Sequence, residues 1–121
     1  MLGYSTVGSN RIEEARGFYD ELMGLIDMPK TFDHPSGGRI YGKPGAMFGV
    51  LKPYNGEAAC VGNGTMIGFG LDSRAQVDAF HAKALALGGA NEGDPGERIP
   101  GAYFAYVRDL DGNKLCAYKF G

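Results

Sequence analysis

The feature that most constrains this chain is a faint copy of itself. Phe18-Tyr19 recurs as Phe80-His81, and the same shift of 62 positions carries Tyr4 to Met66, Gly8 to Gly70, Asn10 to Asp72 and Ala15 to Val77. A pattern repeated at such a spacing marks one supersecondary unit built twice. In the first copy, Leu2–Gly8 is short, partly β-branched and closed by turn residues, which predicts a strand. Asn10 then reads as a helix N-cap. Glu13 stands at the capping-box position, and Glu13 and Glu14 place negative charge where the helix dipole favours it. Ile12, Ala15, Phe18, Tyr19, Leu22 and Met23 make one apolar stripe at helical spacing, and Gly24 reads as the stop.

Beyond that helix, Pro29, Pro35, Gly37-Gly38, Pro44-Gly45 and Pro53 cut the chain into extended pieces near 26–33, 38–42 and 46–52. The last two read as a hairpin about Lys43-Pro44-Gly45. Residues 55–64, small and Gly-containing, join the copies. Thr65–Leu71 opens the second copy as a strand. Its helix is capped at Asp72 or Ser73, with Gln76 completing a box from Ser73, and carries Val77, Phe80, Ala84, Leu85 and Leu87 until Gly88-Gly89 ends it. Residues 91–100, rich in Pro and Gly, suit one poor edge strand. Tyr103, Ala105 and Val107 then alternate with Phe104, Tyr106 and Arg108, the period of a strand, and Asp111-Gly112 turns the chain into a last strand, Leu115–Phe120. Arg108 and Asp109 read as a solvated pair beside that turn. The fold class is therefore α+β: two βαβββ modules, at 1–54 and 65–121, with a linker at 55–64 inside a single domain spanning 1–121.

Charge narrows the partners. The net charge is −2 with the signs interspersed and no Lys/Arg block, so neither nucleic acid nor an anionic membrane is expected as a partner. No apolar run approaches the roughly 20 residues of a membrane span, and MLGYSTVGSN lacks the parts of a signal peptide, so a cytoplasmic location is expected. In that compartment Cys60 and Cys116 are expected as free thiols. Gly68-x-Gly70 and Gly62-x-Gly64 stop short of dinucleotide or phosphate-loop fingerprints.

Three stretches resemble a known family. YSTVGSNRIEEARGFYDELMG, SRAQVDAFHAKALALGG and VRDLDGNKLCAYKF, the last with its D-x-D-G-N turn, are similar to the vicinal oxygen chelate superfamily of glyoxalase I, bleomycin-resistance proteins, fosfomycin-resistance enzymes and extradiol dioxygenases. The resemblance implies a glyoxalase-like fold, its paired modules forming curved mixed sheets around a cleft that a homodimer often completes; a homodimer is expected. It also implies up to four His or Glu ligands to a divalent metal, from the first and last strand of each module. On this chain those positions fall on Tyr4, Gly49, Met66 and Cys116, none an imidazole or carboxylate. The expectation is accordingly a small-molecule ligand in the cleft, no metal and no cofactor.

Strand alternation extends the set, so that the expected cleft lining is Tyr4, Thr6, Tyr41, Gly49, Met66, Gly68, Cys116 and Tyr118, with Arg39 as the alternative to Tyr41. Phenols, a thioether and small residues suit an organic ligand with an aromatic or apolar body. Two other readings stand beside this one. A metal-dependent lyase or isomerase of the lactoylglutathione lyase type would turn over substrate. A dimeric structural or partner-binding module would need no ligand. His34, in DHPSGG, reads as a solvated loop residue or a mobile general base. His81 reads as a half-buried or surface helix residue, and Cys116 as a small buried side chain or a thiol activated by Lys114.

Overall fold

A computed structural model describes residues Met1–Gly121. The chain divides into two compact units, Met1–Gly62 and Asn63–Gly121. No helix in either is long and apolar enough to cross a membrane.

The first unit runs β1 (Tyr4–Gly8), α1 (Ile12–Leu25), β2 (Lys30–Asp33), β3 (Arg39–Lys43) and β4 (Ala46–Leu51). Its sheet has the order β1-β4-β3-β2, parallel between β1 and β4 and antiparallel elsewhere. The apolar stripe of α1 lies on this sheet: Ala15, Phe18, Tyr19, Leu22 and Met23 are buried, and the Tyr19 ring meets Phe48 at 5.0 Å and Tyr41 at 6.4 Å. Pro44-Gly45 forms the two-residue turn between Lys43 and Ala46, with Gly45 at φ 91°, an angle that suits glycine.

Both ends of α1 differ from the sequence expectation. Arg11, without a side-chain cap, occupies the N-cap. Asn10 is engaged elsewhere: its Nδ2 donates to the Ala59 carbonyl at 3.0 Å and its Oδ1 accepts from the Ala59 N–H at 2.7 Å. A two-way bond to a backbone 49 residues away outcompetes the local cap. At the other end Gly24 stays inside the helix, and Asp27, at φ 59°, takes the left-handed position while Met28 N–H closes on the Met23 carbonyl.

The second unit repeats the plan: β5 (Ile67–Gly70), α2 (Arg74–Ala86), β6 (Ala90–Ile99), β7 (Ala102–Arg108) and β8 (Lys114–Phe120), in the order β5-β8-β7-β6. Two βαβββ units of one topology give the glyoxalase-like α+β fold. Here the capping box forms as expected from Ser73 and Gln76. The stop at Gly88-Gly89 forms too, with Gly88 at φ 100° and Gly89 N–H donating to Ala84 at 2.9 Å. The edge strand β6 is longer than expected, ten residues interrupted by three register shifts. His81 is a correction: it is 6% exposed, the counterpart of fully buried Tyr19, and its Nε2 lies 2.9 Å from Asn91 Oδ1. Leu85 and Leu87 are only half-buried, because the stripe follows Val77, Phe80, His81 and Ala84 instead.

The β7–β8 turn is a second correction. Asp109 is 5% exposed and takes no solvated partnership with Arg108. Its Oδ1 accepts from the Asp111 and Asn113 N–H groups at 2.9 and 2.8 Å, and its Oδ2 from Asn113 Nδ2 at 2.9 Å, so the carboxylate scaffolds the turn. Arg108 pairs instead with Glu92 at 2.9 Å.

Candidate functional site

In each sheet one face is covered by a helix, so chemistry facing a ligand has to lie on the other. Register fixes which residues those are. Thr6 pairs with Gly49 across β1 and β4, and Gly68 with Cys116 across β5 and β8, so Gly49 and Cys116 occupy matching places in the two units.

In the first unit the face away from α1 carries Tyr4 and Thr6 of β1, Gly49 of β4 and Ile40 of β3. A Cβ built on Gly49 would meet Ile40 Cδ1 at 2.5 Å and Thr6 Cγ2 at 3.5 Å, which places these three together. Tyr41 does not join them. One residue on from Ile40, it faces the helix side, 1% exposed, and its hydroxyl donates to Asp20 Oδ1 at 2.7 Å. Burial and that bond hold its phenol pKa well above the ordinary value. Arg39, on the same side, bridges Asp20 at 2.6 Å and Asp33 at 2.8 Å. Tyr41 and Arg39 are thus structural, because a strand's side chains change face at every residue.

At the end of β1 and β4 the segment after Leu51 folds back to leave an open cavity of about 400 Å³, lined among others by Thr6, Gly8, Leu51, Pro53, Tyr54 and Cys60. The Asn10–Ala59 clasp pins this segment. His34 belongs to neither place; its Nδ1 accepts from the Ser36 N–H at 3.1 Å and sits 3.0 Å from Ser36 Oγ, closing its own turn.

In the second unit the face away from α2 carries Gly68 and Gly70 of β5, Lys114, Cys116, Tyr118 and Phe120 of β8, and Phe104, Tyr106 and Arg108 of β7. Met66 precedes β5 and is 42% exposed. Tyr118 leans over β5, where a Cβ on Gly68 or Gly70 would approach its ring to 3.3 and 3.1 Å. Phe104 lies nearly parallel to Tyr118, with centroids 5.3 Å apart, and to Tyr106 at 6.0 Å; Phe120 meets both Phe104 and Tyr118 edge-on. The result is a four-ring wall, half-buried except for the more exposed Phe120. Phe104, Tyr106 and Phe120 escaped the sequence reading, although carrying the parity of Tyr118 across the hairpin register would have found Phe104 and Tyr106.

The metal implied by the resemblance can be tested against these residues. Gly49 has no side chain, Tyr4 a phenol and Met66 a thioether. Cys116 is 1% exposed, and burial pushes its thiol up to about 11 despite Lys114. It stays protonated at neutral pH, a poor ligand and a poor nucleophile. No group of three or more His, Cys, Asp or Glu side chains anywhere in the chain is arranged to hold a metal ion. These residues do not fit a divalent cation.

No protein-family model and no curated protein matches the chain. Solved structures do. A glyoxalase/bleomycin resistance protein from Albidiferax ferrireducens is 40% identical, with 100% of this chain and 99% of that one covered and a TM-score of 0.93. A glyoxalase-related enzyme from Fulvimarina pelagi is 18% identical, covering 98% and 87%, with a TM-score of 0.78. A structure described as lactoylglutathione lyase from Agrobacterium tumefaciens is 20% identical, covering 98% and 92%, with a TM-score of 0.73; these last two share the fold alone.

Proposed function

Because this chain belongs to the glyoxalase/bleomycin resistance protein family, we propose that it binds a small organic molecule on the sheet faces turned away from its helices, and does so without the divalent metal of the wider superfamily. One observation carries the reading: at the metal-ligand positions the first unit has a phenol and a glycine, and the second a thioether and a buried, protonated thiol, the latter on a face that also carries a wall of four aromatic rings. Such a lining supplies contact area and shape and no Lewis acid. A metal-dependent lyase would need imidazoles or carboxylates at these places, and the Agrobacterium neighbour is too distant to lend its activity.

The exposed, free Cys60 thiol suits a reducing cytoplasm. Phe32 on the edge strand β2 and Ile99 on the edge strand β6 are 48% and 66% exposed, the kind of apolar edge that a second copy covers. Light scattering on the eluted protein is expected to return about twice the 12.9 kDa chain mass; a chain mass alone would remove the dimer from the proposal.

Binding is tested by thermal denaturation of chelator-treated protein against a panel of metabolites and drugs. Stabilisation by an organic compound, unaltered by EDTA, is the expected result. A panel without effect, together with stabilisation by Zn²⁺ or Ni²⁺ that EDTA reverses, would refute it.

A further inference from the structure

The two modules share a fold but not a surface, and the difference points to a ligand class. Register places Met47, Leu51 and Ile40 of the first unit where the second has Lys114, Tyr118 and Tyr106. The same alignment sets Gly38 against Phe104. Since aliphatic residues and glycine satisfy this architecture in one module, the rings and the cation in the other are not demands of the fold. Neighbouring strands give way to the rings as well. Besides Gly68 and Gly70 beneath Tyr118, a Cβ on Gly93 of β6 would lie 2.8 Å from Tyr106 Cδ2.

The cations on this face are unequal. Arg108 is neutralised by Glu92 at 2.9 Å. Lys114 and Arg98 both lie over the Tyr106 ring, the ammonium 5.1 Å and the guanidinium 5.3 Å from its centroid, and Glu92, hydrogen-bonded to Arg108, feels the Lys114 charge only through space. Arg98 is held in place by backbone carbonyls, with Nη1 donating to Gly96 at 3.1 Å and Nη2 to Asp94 at 2.6 Å, which spend two of its N–H groups and none of its charge. Two positive charges, one from each strand flanking β7, therefore lie against the Tyr106 end of the aromatic wall. A flat apolar body bearing one negative group matches both parts, because the cations that attract it are already positioned by ring and backbone.

We infer that the β7–β8 face of the second module takes a planar aromatic carboxylate, its ring against Phe104 and Tyr118 and its carboxylate toward Lys114 and Arg98. The inference rests on the small-molecule reading above and adds the chemical class. It is tested by calorimetric titration of the full chain with 2-naphthoate and with neutral 2-naphthamide, on wild type, Lys114→Met and Tyr118→Leu, the last two installing the residues found at the matching places of the first module. Wild type is expected to prefer naphthoate by about tenfold, as one charge-assisted contact supplies. Lys114→Met should abolish most of that preference by weakening naphthoate more than naphthamide, and Tyr118→Leu should weaken both compounds. Amide spectra of each variant confirm that it is folded. Equal binding of the two compounds, or a preference that survives Lys114→Met, overturns the carboxylate assignment and leaves the small-molecule reading standing. If neither compound binds folded wild type, the inference falls; a panel compound that still stabilises the protein then preserves the broader reading, and an inert panel removes both.

Discussion

The thiol of Cys116, 1% exposed with its pKa raised to about 11, is held by the fold in its protonated form, and this has consequences for its reactivity and for stability in alkali. At pH 8 a disulfide reagent should consume one thiol per chain quickly, that of exposed Cys60, and a second only on unfolding; two fast thiols would contradict the burial. In alkali, the stability that comes from keeping the proton is complete below the ordinary thiol value of 9.0 and is lost as pH rises through about 11. The loss attributable to this group is about 2 kcal/mol, read as a shift in urea midpoint between pH 8 and pH 11 that shrinks in Cys116→Ala. Tyr41 offers a sharper separation of structure from function. Its hydroxyl serves Asp20 on the helix side, so Tyr41→Phe should cost about 1–2 kcal/mol of stability and leave ligand affinity unchanged. An affinity loss without destabilisation would put Tyr41 back on the ligand face.

At the scale of elements, the two helices show how far local sequence reaches. Ser73-x-x-Gln76 and Asn10-x-x-Glu13 are equally good capping signals, yet only the first forms its box. Ser73→Ala should therefore cost about 1 kcal/mol. Asn10→Ala should instead free the segment around Ala59, raising its amide exchange while α1 stays protected; fraying of α1 alone would mean that Asn10 caps after all. What separates the pair is a partner 49 residues away, which no local rule contains. The same limit explains Asp109, whose burial follows from three turn donors closing on one carboxylate, and Tyr41, whose face depends on strand parity that a one-residue shift reverses. The repeat, by contrast, was legible because helix stripes and turn residues are local. Its 62-residue shift holds for β1 and β5, and Cys116 matches Gly49 through the pairing of β1 with β4 and β5 with β8.

For the whole molecule, one scaffold used twice has been given two different sheet faces. The first, Tyr4 apart, is made of small and aliphatic residues beside an open cavity; the second is aromatic and cationic. The sequence expectation contained the departure from the metal ligands at Tyr4, Gly49, Met66 and Cys116, because that needed only residue types at family positions. It missed most of the aromatic wall, because Phe104 and Tyr106 join the surface of Tyr118 and Phe120 only when β7 and β8 are set in register. The central claim is that an organic ligand binds on a sheet face without a metal. An amide-resolved NMR titration of chelator-dialysed protein with 2-naphthoate tests it most directly. The account predicts saturable shifts at Phe104, Tyr106, Cys116 and Tyr118, unaltered by added EDTA. Shifts that appear only after Zn²⁺ or Ni²⁺ is supplied, or that gather on the helix-covered faces, would contradict it.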